Sequence, residues 1–150
     1  MTMSSPPTRS VQGGCQCGKV RYTFSQNLDG AGVCHCRMCQ KANGGPFVAY
    51  AGADKSSFSL TEGTIKWFAS SDFAERGFCE ACGTPLTYRT FKGDRINVTL
   101  GSLDQPERFT PSKQFGIEAR LSWSLLLCDL PEAATDDWLS SPLVSNQELI

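Results

Sequence analysis

The sequence predicts a mainly β fold, a single antiparallel β domain with little helix, pinned by metal. Three observations predict it. Short runs of alternating apolar and polar residues recur between turn residues. Helical periodicity is nearly absent, and eight cysteines fall mostly into three tight groups. At 150 residues the chain has the length of one domain and can bury a core.

The elements follow in order. Residues 1–10 are rich in Ser, Thr and Pro and lack an apolar signal-like run, so a disordered lead-in is expected there. The main unit is expected over residues 11–130 and a tail over 131–150. Gly13 and Gly14 precede Cys15-Gln16-Cys17-Gly18, where glycines let the backbone bend around two closely spaced thiols. Val20, Tyr22 and Phe24 alternate as the buried face of a strand, and residues 27–32 read as a turn. Residues 36–42 suit a short helical turn, stopped by Asn43, Gly44 and Gly45 and barred from continuing by Pro46.

Residues 47–50 read as a strand, Phe58 and Leu60 stand at strand spacing, and residues 64–69 form another strand. Ile65, Trp67 and Phe68 are expected in the core. Cys79-Glu80-Ala81-Cys82-Gly83 is a knuckle, two thiols on a tight turn with Gly83 free to turn left-handed. Residues 87–90 lead outward from it, Ile96, Val98 and Leu100 share one strand face, and Ala119, Leu121, Trp123 and Leu125 alternate as a last strand. A short helix capped by Thr135 is expected within residues 135–141.

Charge and hydropathy exclude several functions. With 14 basic and 15 acidic residues the net charge is -1, unlike a general nucleic-acid binder. Residues 1–50 carry five basic residues (Arg9, Lys19, Arg21, Arg37, Lys41) against Asp29, so this third is +4 and the remainder -5. Compensation of metal-bound thiolates explains the excess, as does attraction of a small anion. No apolar run is long enough for a membrane span, and a soluble, cytoplasmic protein is expected, in which clustered thiols serve metal or redox chemistry.

The groups Cys15/Cys17 and Cys79/Cys82 together supply four thiolates, the ligand set of a closed structural zinc site. Cys34, Cys36 and Cys39 supply three, leaving one tetrahedral position open, as in catalytic zinc. Spacing alone does not settle which pair joins which. A second closed site completed by Cys128 or His35, or an iron–sulfur cluster, is the alternative for the triad. Cys128, isolated in an apolar run, reads as buried core. His35, the one histidine, either shuttles protons beside the metal or braces the loop through hydrogen bonds.

The segments 13–22, 34–41 with Gly44-Gly45, 78–86 and 101–104 together resemble the glutathione-dependent formaldehyde-activating enzymes, a family whose domain is shared with centromere protein V. The resemblance implies a zinc-pinned β-tent fold and two zinc ions, structural at Cys15, Cys17, Cys79 and Cys82 and catalytic at Cys34, Cys36 and Cys39. It further implies a carbon–sulfur lyase or synthase that joins glutathione to formaldehyde as S-hydroxymethylglutathione. His35 is then a candidate proton donor, and Arg37 and Lys41 are candidate contacts for the carboxylates of glutathione. The competing expectation is a non-catalytic, zinc-pinned binding or redox-sensing module.

Overall fold

The computed structural model describes residues 10–139, 141 and 144–147, so most of the expected lead-in lies outside the described residues. Strands β1 (Val11–Gly14), β2 (Arg21–Phe24) and β5 (Phe58–Glu62) form a three-stranded antiparallel sheet in the order β1-β2-β5. The other sheet is built from β3 (Asp29–Cys34), β4 (Val48–Asp54), β6 (Lys66–Ala69), β7 (Ala74–Phe78), β8 (Pro85–Thr90), β9 (Arg95–Thr99) and β10 (Lys113–Phe115). Its order is β10-β3-β4-β9-β8-β7-β6. Every pairing is antiparallel except that of β10 with β3. One short helix, α1 (Arg37–Asn43), follows β3 directly. The fold is mainly β, as the alternating runs predict.

The core is where the inward positions of both sheets meet. Tyr22 and Phe24 from β2 belong to one buried cluster with Ala51, Ala53, Leu86, Ile96 and Val98 from the larger sheet. Phe24 packs edge-on to Phe58 at 5.2 Å, and the Tyr22 hydroxyl hydrogen-bonds Ser102 Oγ at 2.8 Å, so its one polar atom is satisfied. Burying such a ring is worth roughly 1.5–3 kcal/mol, whereas an exposed ion pair such as Lys66–Glu80 contributes about 0–1 kcal/mol. Core packing, not surface charge, therefore holds the sheets together. Cys15 and Cys79 are members of the same cluster, so one cysteine group sits in the wall of the core.

Several expectations are corrected. The stretch expected as a turn, residues 27–32, is largely strand: β3 begins at Asp29, with Gly30 at φ 62° and a shift in register between Asp29 and Gly32. A bulge absorbs the turn-like composition without ending the pairing. β7 carries no clear alternation and is held by β6 and β8 on either side. The expected last strand at Ala119–Leu125 is instead largely 3₁₀ helix, Ile117–Ala119 and Ser122–Asp129, which closes its hydrogen bonds locally and pairs with no strand among the described residues. Its alternating Trp123 and Leu125 are exposed, and so is Cys128, which is not core. Phe68 is 63% exposed, while Ile65 and Trp67 pack against the core. Thr135 opens a 3₁₀ turn, Thr135–Asp137, whose cap is Ala134, its N–H donating to Asp137 Oδ2 at 2.7 Å. Among the described residues no helix is long and apolar enough to cross a membrane.

Candidate metal centres and the cavity over the triad

Two groups of sulfur atoms emerge, and the division matches the one the resemblance implies. Cys15, Cys17, Cys79 and Cys82 form one, Cys34, Cys36 and Cys39 the other, with the ligand atoms in each within 4.8 Å of one another. All eight cysteines are free thiols.

The tetrad joins the β1–β2 connection to the β7–β8 turn. Gly18 and Gly83 adopt φ 75° and 76°, the left-handed conformation that lets each loop fold back on its cysteine pair. Gly83 N–H donates to Cys79 O at 2.8 Å, Gly18 N–H donates to Cys15 O at 3.1 Å, and Gln16 N–H reaches across to Thr84 Oγ1 at 3.0 Å. Four sulfurs about 2.3 Å from a tetrahedral zinc stand roughly 3.8 Å apart. Cys15–Cys17 at 3.6 Å and Cys17–Cys79 at 3.9 Å fit that geometry, and an all-sulfur donor set suits zinc. Burial pushes the Cys15 thiol up to about 12. At Cys82 burial acts the same way but is outweighed by hydrogen bonds from the Thr84 hydroxyl and backbone, which bring the thiol down to about 6.

The triad is assembled by local sequence. Cys34 ends β3, Cys36 is the N-cap of α1, and Cys39 lies in its first turn, its N–H 3.4 Å from Cys36 Sγ. Gly44, at φ 67°, closes the helix by donating to Gln40 O, which is the stop the sequence predicts. Burial alone would raise the Cys36 thiol, but the Cys39 N–H and the neighbouring thiols lower it. Cys39 is pushed up to about 12, chiefly by burial and against the hydrogen bond from Arg76. Three convergent sulfurs fit a thiophilic metal with fewer protein ligands than the tetrad offers.

All three triad residues line a cavity of about 460 Å³ with Met38, Tyr50, Phe73, Arg76, Tyr88 and Phe115 among its other walls. Arg76, 9% exposed, was not among the residues singled out from the sequence. Its Nη2 donates to Cys39 Sγ at 3.4 Å and its Nη1 to the Tyr50 hydroxyl at 2.9 Å. It offsets triad charge in the way expected of the N-terminal basic residues. Two of those residues are engaged elsewhere, Arg21 with Asp104 and Arg37 with Gln40 Oε1.

His35, Arg37 and Lys41 do not line this cavity. The His35 ring is 3% exposed, edge-on to Phe47 at 5.5 Å, with Nε2 2.8 Å from Gln114 Oε1. Its backbone N–H donates to Phe115 O, and its carbonyl accepts from Gln40 Nε2. His35 thus braces β3, α1 and β10 against one another. Arg37 and Lys41 border a separate depression with Pro46 and Trp123.

Gly116, at φ 63°, ends β10 directly against the triad, and a Cβ there would lie 2.7 Å from Cys36 N. Gly116→Ala is expected to displace Cys36, costing about 1–3 kcal/mol of stability and the metal of the triad before that of the tetrad. Thermal melting together with metal content during chelator challenge checks this.

The profile of the family described as glutathione-dependent formaldehyde-activating enzyme matches residues 10–118. An uncharacterized lyase of Schizosaccharomyces pombe is 35% identical over 82 residues, a match spanning 55% of this chain and 59% of that protein. Among solved structures, a Rhodobacter sphaeroides protein superposes with a TM-score of 0.53 at 21% identity, over 69% of this chain and 98% of that one. At that identity the likeness concerns the fold alone.

Proposed function

Because this chain belongs to the glutathione-dependent formaldehyde-activating enzyme family, we propose that it is a zinc-dependent carbon–sulfur lyase or synthase acting on thiol–aldehyde adducts, with glutathione and formaldehyde giving S-hydroxymethylglutathione as the preferred reaction. The observation that carries this reading is the cavity of about 460 Å³ onto which Cys34, Cys36 and Cys39 face together with a buried arginine. A cytoplasmic setting, where thiols stay reduced, belongs to the same proposal.

In this reading Cys15, Cys17, Cys79 and Cys82 hold a structural zinc, and Cys34, Cys36 and Cys39 a catalytic one with a position free for substrate. Zinc at the triad supplies Lewis acidity that keeps an entering thiol ionised at neutral pH. Arg76 offsets the charge gathered on the triad through Cys39. Met38, Phe73 and Phe115 keep the walls apolar, so water is displaced around the reacting atoms. The substrate thiolate adds to the aldehyde carbon, and the carbonyl oxygen takes up a proton. His35 is a brace in this scheme, and Arg37 and Lys41 serve only as candidate contacts for carboxylates of a tripeptide thiol reaching beyond the cavity.

The test is an optical titration of cobalt-substituted protein. Glutathione is expected to shift the thiolate-to-cobalt bands of the triad, and S-methylglutathione to leave them unchanged. If two metals are bound and neither compound shifts the bands, the triad takes no substrate sulfur, and the non-catalytic module becomes the working description.

A further inference from the structure

The cavity over the triad is apolar along much of its wall but contains one linked polar pair, Tyr50 on β4 and Arg76 on β7. The guanidinium is fixed from three sides: by Cys39 Sγ at 3.4 Å, by the Tyr50 hydroxyl at 2.9 Å, and by the Tyr88 ring, whose centroid is 5.1 Å away. A guanidinium only donates hydrogen bonds. The Tyr50 oxygen is therefore the acceptor, and its own hydrogen is left for a different partner. Asn43, whose Nδ2 donates to Cys39 O at 2.9 Å, is a second neighbour that favours negative charge on that oxygen. The Tyr50 hydrogen is not used by Arg76, and the residue lines the cavity over the triad. A proton donor thus stands on the cavity wall, one guanidinium away from a triad sulfur.

We propose that Tyr50 is a catalytic residue that donates its hydroxyl proton to the aldehyde oxygen as the thiolate adds, with Arg76 as the positioning residue that holds Tyr50 in register with Cys39. The inference rests on the thiol–aldehyde reading above. The atoms balance. The sulfur forms a bond to the carbonyl carbon, the π pair of the carbonyl moves to oxygen, and that oxygen takes the Tyr50 proton. The phenolate left beside Arg76 recovers a proton from solvent, which had received the one lost by the thiol. Nothing is oxidised or reduced. In the lyase direction the steps reverse, and the Tyr50 phenolate removes the hydroxyl proton of the adduct.

The surroundings suit this role. Burial pushes the Tyr50 hydroxyl up to about 12 against the opposing charge of Arg76, so it is protonated and able to donate at neutral pH. The alkoxide formed by addition is a base strong enough to take the proton of such a phenol, so the transfer is close to balanced rather than opposed. The guanidinium is already in place to meet the phenolate charge, inside a cavity whose apolar walls strengthen that attraction.

The test measures exchange of isotope-labelled formaldehyde with its glutathione adduct by exchange NMR, on the zinc-loaded protein, alongside the cobalt titration. Tyr50→Phe is expected to slow catalysed exchange about a hundredfold, with KM for glutathione, metal content and the cobalt response to glutathione unchanged. Arg76→Met is expected to slow exchange about tenfold or more, and Arg76→Lys to recover much of that loss by retaining a donor and charge. Full activity in Tyr50→Phe overturns the proposal while the thiol–aldehyde reading stands. Equal losses in Arg76→Lys and Arg76→Met overturn the positioning role. A wild-type protein that neither accelerates exchange nor shifts its cobalt bands with glutathione overturns the underlying reading, and this inference with it.

Discussion

Cys79→Ser is expected to abolish cooperative folding. Cys79 is 1% exposed, belongs to the core cluster, and joins the β7–β8 turn to the β1–β2 connection through Cys17 Sγ at 3.9 Å. Structural zinc contributes about 10–16 kcal/mol of apparent binding free energy, while a whole domain is stable by only about 5–15 kcal/mol. A substitution that removes one of four ligands and puts a hydroxyl in the core wall leaves no surplus. Circular dichroism during heating checks the outcome. A sharp transition at the wild-type midpoint would show that the tetrad does not hold the sheets together.

Cys36→Ser is expected to do the opposite, leaving the fold in place while removing activity. Cys36 is half-buried and caps α1, and serine is itself a favoured N-cap, so the helix start survives the change. Metal content should fall from two per chain to one. At pH 7 only a few per cent of a free thiol is ionised, so loss of metal assistance alone should lower turnover at least about thirtyfold. Metal analysis, melting and the exchange assay on the same preparation separate the two variants. Equal loss of melting temperature in both would contradict the division into structural and catalytic sites.

Much of the fold and of the sulfur clustering was legible in the sequence because both are written locally. Tyr22 and Phe24, or Ile96 and Val98, bury alternate positions of single strands, and the triad lies within six consecutive residues. The grouping of Cys17 with Cys79 was read from the two outer pairs as one four-thiolate set, and the family resemblance supported a partition that spacing alone left open. The alternation of Ala119 to Leu125 misled because period two reports a strand only where a neighbouring strand can take the hydrogen bonds. Arg76 and Tyr50 were not legible. An arginine following Glu75 reads as surface charge, and only the sheet order, with β8 and β9 between β7 and β4, brings it to a tyrosine 26 positions earlier in the chain.

The strand β10 has a kinetic consequence. It is an edge strand of three exposed residues, bonded to β3 alone, yet it supplies Phe115 to the cavity wall, Gln114 to His35 and, just past its end, Gly116 to Cys36. Such an edge opens by local fraying at a free energy well below that of global unfolding. The His35 amide, bonded to Phe115 O, would then exchange its hydrogen through that opening, while amides between β4 and β9 wait for the whole domain. Cys36 shares the fate of β10, and Cys15 and Cys79 share the fate of the core. The two cysteine groups, chemically identical, are therefore expected to differ in lability toward any metal they hold, because they belong to parts of the fold that open at different free-energy cost.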